Sequence, residues 1–355
     1  SAYPNPIVEA GAGPSLYKDG RDGVDSNWAF GVSQPIDYPA LRSFRIRGAQ
    51  AGTGFAQAGL QAFQIALLAD VKAAFYDVIR RQGEKQIASE DFTLLEQIRA
   101  RVKVRVDTGE APRYELIKAD AELLNAQKTL QSAELRVRQV KAVLSRLVGT
   151  SLGEDFEVSG EMSAPRELPA LVELRKEVLA RNPVMAQSQA EQVRARARLN
   201  VERELSIPQV SIRAGVDRDP DLQNWRVGVA LVVPVWNRRE GPIAEAAAGI
   251  AQVDAQAEQR KLGLLRDLDL AYNQYLINLS QVSAYESGLL AQAEAALNVA
   301  GAAYRFGERG ILDYLDAQRI YRQVRLDYLN THYDLQRSLI EIERLRASDP
   351  REELP

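Results

Sequence analysis

The chain repeats itself, and this constrains its fold more than any other feature. Two halves match at an offset of about 198 residues. Asn27-Trp28 returns as Asn224-Trp225, and Gln34-Pro35-Ile36 returns as Val233-Pro234-Val235. Arg105-Val106-Asp107-Thr108-Gly109 returns as Ala303-Tyr304-Arg305-Phe306-Gly307, and ten residues past each glycine stands an alanine, Ala119 and Ala317. Four landmarks at one spacing make this a single architecture built twice.

Each half has the same order. A strand pair over 6–36, and again over 208–236, is followed by a long Pro-free stretch, Ala40–Ala111 and Ile243–Asp349. Proline breaks helix interiors, so such runs predict long helices. Gly109 and Gly307 interrupt them where a helix C-terminus would need a residue tolerant of positive φ, and Pro112 stands at a plausible first position of the next helix. Each half thus predicts a β-hairpin, a long helix, a tight turn and a second long helix. At about 1.5 Å per residue, 60-odd residues span roughly 90–100 Å. No globular core is that long, so these helices must pack side by side as an antiparallel coiled-coil array. Ser151–Glu167 reads as irregular, followed by helices over Leu168–Arg181 and, past the break at Asn182-Pro183, to about Glu204. The first half has no counterpart of that last helix, so roughly 50–80 further residues are expected ahead of Tyr3-Pro4-Asn5-Pro6.

The strands alternate. Val210, Ile212, Ala214 and Val216 share one face, and Ser211, Arg213, Gly215 and Asp217 the other. Trp225, Val227, Val229, Leu231 and Val233 oppose Arg226, Gly228 and Ala230, while Trp28, Phe30 and Val32 oppose Asn27, Ala29 and Gly31. Ten-residue period-two segments with a Trp near one end fit transmembrane β-strands. One such hairpin would more often be a half-buried hairpin of a soluble domain; two, each feeding a very long helix, reverse that balance. Four strands cannot close a barrel, whereas three copies supply twelve, and closure is compulsory in lipid.

Composition narrows the function. The net charge of −3 offers no basic footprint for nucleic acid. The absence of cysteine removes disulfides, thiolate metal sites and a Cys nucleophile. No run of about 18 apolar residues predicts a transmembrane helix, and Ser1-Ala2-Tyr3-Pro4 has none of the character of a signal peptide. His332 is the sole histidine, so neither a Ser/His/Asp arrangement nor a soft-metal relay is expected, and it reads as a packing or surface residue. Gly11-Ala12-Gly13-Pro14 lacks the Lys-Ser/Thr and helix start of a phosphate loop. The expectation is a protein that is not an enzyme and holds no cofactor or metal.

Tyr304-Arg305-Phe306-Gly307-Glu308-Arg309-Gly310-Ile311-Leu312-Asp313-Tyr314-Leu315-Asp316-Ala317-Gln318 resembles the tip turn of the TolC family of outer membrane factors, with Arg105-x-x-x-Gly109-Glu110-Ala111 as its first-half counterpart. Val233-Pro234-Val235-Trp236-Asn237-Arg238-Arg239-Glu240-Gly241 resembles the strand-to-helix crossing of the heavy-metal branch, although Tyr38-Pro39-Ala40-Leu41-Arg42 lacks that branch's Gly-Lys-Arg. The resemblance covers essentially the whole chain. It implies a mainly α fold with transmembrane β: a homotrimeric duct with a shared 12-stranded barrel, a periplasmic helical tunnel and an equatorial belt at Ser151–Glu167. The segments would be a first barrel hairpin (1–38), a first tunnel hairpin (39–150), equatorial helices (151–205), a second barrel hairpin (206–238), a second tunnel hairpin (239–348) and a tail (349–355).

It further implies an exit channel for divalent heavy-metal cations, docked through a periplasmic adaptor to an inner-membrane RND pump. Asp313 and Asp316 match the family's acidic constriction and Glu115 stands at the first-half position of Asp313. Under threefold symmetry these would form carboxylate rings of the kind that select cations; without the resemblance they would read as a solvated helix face. Tyr304 and Arg309 match residues that lock the closed tip between helices, Gly109 and Gly307 mark turns for adaptor docking, and Trp28 and Trp225 mark contact with outer membrane lipid. The alternatives are the same duct serving drugs or type I protein secretion, and a periplasmic adaptor, which would carry one helical hairpin where this chain has two. A soluble coiled-coil scaffold would not need the Trp-flanked strands.

Overall fold

The computed structural model describes residues 3–16, 24–149, 152, 156–160, 162 and 167–348. Much of the expected equatorial segment 151–167, and the tail 349–355, therefore lie outside the described residues. The elements in chain order are β1 (Ile7–Leu16), β2 (Val24–Ile36), α1 (Pro39–Asp107), α2 (Arg113–Val148), α3 (Leu171–Arg181), α4 (Pro183–Glu204), β3 (Gln209–Arg218), β4 (Gln223–Val232), α5 (Glu240–Ala284), a wide π turn (Tyr285–Leu289), α6 (Leu290–Arg305) and α7 (Ile311–Arg346). The predicted strand pairs and Pro-free helices are both present. The second long stretch departs from expectation in one respect. The π turn interrupts it at Gly288, whose φ of 163° and ψ of −21° are not helical. Ser-Gly pairs are recognised kink sites, and Ser287-Gly288 is the local cause.

The chain forms two compact units, Ser1–Gln61 with Pro183–Leu262, and Ala62–Asn182 with Gly263–Pro355. Helices α1 and α5 contribute to both. The first unit holds one antiparallel sheet in the order β1-β2-β3-β4. Its middle joint pairs β2 with β3, Trp28 lying opposite Arg218 and Val32 opposite Ala214, so the sheet knits the two halves of the repeat together. Register puts Ala10, Phe30, Val216 and Trp225 in one row, and Val8, Val32, Ala214 and Val227 in the next. That face is apolar and exposed in the protomer, at Val227, Val229 and Leu231. The opposite face carries Glu9, Gly31, Gly215 and Arg226 in one row and Ile7, Ser33, Arg213 and Gly228 in another. Among the described residues both edge strands, β1 and β4, lack an outer partner. An exposed apolar face with two free edges is unstable in water and calls for lipid and further strands.

The second unit is helical and is built around two apolar clusters. One joins α3 to α5 and α7 through Leu174, Val178, Leu268, Tyr275, Leu335, Ile342 and Leu345. Arg175 reinforces it with a forked pair to Asp269 at 3.0 and 2.7 Å, and Asn182 donates to the Leu345 carbonyl at 2.8 Å. The other cluster sits under the two helical turns.

Candidate functional site

The two turns at Gly109 and Gly307 have the same backbone, bond for bond. The Thr108 and Phe306 N–H groups donate to Val104 and Ala302, both at 3.0 Å. Gly109 donates to Val106 at 3.1 Å and Gly307 to Tyr304 at 3.2 Å. Glu110 closes onto Arg105 at 2.8 Å and Glu308 onto Ala303 at 2.9 Å. The 5→2 and 6→1 bonds define a Schellman cap, which requires a left-handed residue at the point where Gly109 (φ 79°) and Gly307 (φ 76°) stand. A Cβ at either glycine would meet nothing within 4 Å, so backbone conformation alone demands glycine there.

Beneath the turns, Tyr304, Ile311, Tyr314 and Leu315 of the second hairpin bury themselves among Leu95, Ile98, Val102, Ala119 and Ala126 of the first. Tyr304 and Tyr314 stack at 6.1 Å with planes 27° apart, and the Arg105 guanidinium lies 5.0 Å from the Tyr304 ring centroid. Gly301 leaves room for this pair, since a Cβ there would come within 3.1 Å of the Tyr314 ring. Burial pushes the Tyr304 phenol up; Arg105 opposes this and Glu115 adds to it.

The residues singled out in the sequence fall into separate groups. Glu115 faces inward, one carboxylate oxygen buried without a hydrogen bond, as is the Tyr304 hydroxyl. Asp313 is exposed and pairs at 3.5 Å with Arg309, four residues before it. Asp316 is exposed as well. Glu115 and Asp313 both occupy the first turn of a helix, α2 and α7, where the macrodipole favours a carboxylate. Within the protomer Arg309 makes a local pair with Asp313, and Tyr304 is a core residue. Phe306, at the crest of the second turn, is 79% exposed. Trp28 and Trp225 lie on the apolar face of the sheet in adjacent rows, both toward the hairpin ends.

One set of residues escaped the sequence reading. Arg319, Arg322 and Arg325, three apart on α7, meet Glu122 at 3.0 Å, Asp91 at 3.1 Å and Glu90 at 2.6 Å. Asp91 is buried, takes a further hydrogen bond from Gln318, and has its pKa raised, with desolvation outweighing Arg322. Arginine at every third position was visible, but the carboxylates facing it lie on other helices.

The family described as outer membrane efflux protein matches residues 1–150 and 174–347. The cobalt-zinc-cadmium resistance protein CzcC of Cupriavidus metallidurans is 29% identical over 331 residues, 92% of this chain and 77% of its own. The nickel and cobalt resistance protein CnrC of the same organism is 25% identical over 235 residues, 66% of this chain and 55% of its own. Among solved structures CusC, a former of transmembrane channels, superposes with a TM-score of 0.85 at 19% identity, over 97% of this chain and 83% of its own. The free-edged sheet, the paired glycine turns and the family match agree: this chain belongs to the outer membrane efflux protein family.

Proposed function

We propose that three copies of the chain form a passive exit duct for divalent heavy-metal cations, docked through a periplasmic adaptor to an inner-membrane RND pump. The observation that carries the duct is the sheet, apolar on one face, mostly polar and glycine-rich on the other, and open at both edges. Four strands cannot close, and three protomers give twelve, enough for a barrel with a polar lumen. Trp28 and Trp225 seat the barrel in lipid. Beside the helical turns, Asp313, Asp316 and Glu115 repeated by threefold symmetry put carboxylates around the axis, which attract divalent cations and repel anions. Relatives named for cobalt, zinc, cadmium and nickel resistance support that cargo. The turns at Gly109 and Gly307 present the docking surface for the adaptor. Arg309 and Tyr304 hold the closed tip, Arg309 by neutralising Asp313 at the acidic ring and Tyr304 by packing beneath it. No catalytic step is involved; energy comes from the pump.

Planar-bilayer conductance of the purified full-length protein tests this, with Asp313→Asn/Asp316→Asn beside it. The duct gives cation-selective pores, and the double variant weakens both selectivity and block by divalent cations. Pores indifferent to the substitutions remove the acidic gate. Folded trimers that form no pores overturn the duct itself.

A further inference from the structure

The two strand-to-helix crossings occupy matching places in the repeat and are built differently. At the first, Asp37 is tied to Arg45 at 2.5 Å and the Tyr38 hydroxyl donates to the Pro208 carbonyl at 2.7 Å, so its polar side chains turn back onto the protein. At the second, the same positions hold Trp236 and Asn237. The backbone there is fixed at three points. Val235 N–H closes a γ-turn on Val233 at 2.9 Å, Arg239 N–H bonds the Asn237 side chain at 3.0 Å, and the Arg239 guanidinium grips Glu202, its Nε at 2.9 Å. Between these points Trp236 projects with 96% of its surface exposed, flanked by exposed Val233 and Val235. Arg238 has no ion-pair partner among the described residues, unlike Arg239 beside it.

A rigid loop that displays a fully exposed indole is costly in water, yet suits a place that is apolar at one end and wet at the other. The loop continues the exposed apolar face of β4, Val227, Val229 and Leu231, at the helix end of the strand. Trp225 stands near the hairpin end. The eight steps from Trp225 to Val233 span about 27 Å as a strand, and about 20 Å along a membrane normal at the usual barrel tilt. The two indoles thus bracket one apolar band. We propose that this crossing is a lipid-interface anchor: Trp236 seats among the headgroups of the periplasmic leaflet, and Arg238 binds a phospholipid phosphate. The proposal rests on the barrel reading of the sheet.

The chain's three tryptophans make the test direct. Trimers of this chain are reconstituted in phosphatidylcholine vesicles brominated high on the acyl chain, first as Trp28→Phe/Trp225→Phe, which leaves Trp236 as the one indole of its 355 residues. The expected result is quenching of Trp236 by bromine of about two-fold or more, with little quenching by acrylamide. Adding Arg238→Glu cuts the bromine effect by about half. Trp236 reached by acrylamide and not by bromine would overturn the anchor, as would an indole reached by neither, which a neighbouring protomer would cover. Unchanged quenching in the Arg238→Glu protein would remove the phosphate contact. The companion Trp28→Phe/Trp236→Phe reports Trp225 alone. If bromine quenches Trp225 but not Trp236, only the anchor fails; if it quenches neither, the barrel reading fails with it.

Discussion

The first and second helical turns share every capping hydrogen bond and almost none of their side-chain chemistry. Where the second has Tyr304, Ile311, Tyr314 and Leu315 in its core, the first has Val106, Arg113, Leu116 and Ile117 at matching positions, of which Arg113 and Ile117 are exposed. Asp316 corresponds to Lys118, and Arg309 to Ala111. The backbone of a tight helical turn is fixed by one left-handed residue and a few amide bonds, so duplication preserves it cheaply. Packing is decided by what faces each helix, and there the copies divided their labour. The first hairpin supplies a bed of aliphatic and alanine positions, and the second presses its aromatic pair into that bed.

Truncating matching residues should break the symmetry most. Tyr304→Ala removes a ring with 3% exposure from the core and should cost about 3–5 kcal/mol, whereas Val106→Ala should cost under about 2 kcal/mol. Denaturant midpoints of the purified protein read the difference, and equal losses would mean the turns share their core evenly. The glycines should restore symmetry. Valine at Gly109 or at Gly307 forces a β-branched residue to positive φ in open space, so each should cost about 1–3 kcal/mol and the two should agree closely. A clear inequality would place a contact at one turn that the protomer does not make.

The smallest effect separates the upper parts of the returning helices. His332 packs edge-on to Tyr328 at 5.7 Å with Nδ1 buried and unbonded, and burial pulls its pKa below 6.5 against the opposing pull of Glu286. Its counterpart Glu134 sits near the surface, 3.7 Å from Lys85. Because the folded state disfavours protonated His332, the unfolded chain takes up the proton first as pH falls below 6.5. Stability is therefore lost downward from that point. Thermal midpoints in detergent should fall between about pH 7 and about pH 5, and His332→Asn should lessen the fall while Glu134→Gln should not.

Much of this was legible because it is local. Gly109 and Gly307 announce caps through their own conformational freedom, and the alternation at Trp225–Val233 announces a strand through its own period. What could not be read depends on distant partners. Nothing near Arg322 in sequence says that Asp91 lies opposite, and nothing near Tyr304 says that α1 offers it a bed. Asp313 and Asp316 were recognisable by motif, but Glu115 turns a carboxylate oxygen inward, a choice made by tertiary packing. The π turn has its signal in Ser287-Gly288, but a stretch without proline reads as one continuous helix.

The pairing of β2 with β3 also sets an order of events. Trp28 meets Arg218 across about 190 residues of intervening chain. The contacts that close α1 on α2, or α6 on α7, span far fewer residues, and local contacts form faster than distant ones. The helical hairpins should therefore condense first, the sheet's central joint should wait for both copies, and its outer edges should stay unsatisfied until other chains arrive. During that interval the most adhesive part of the molecule is also the least finished, so assembly of the rim competes with aggregation.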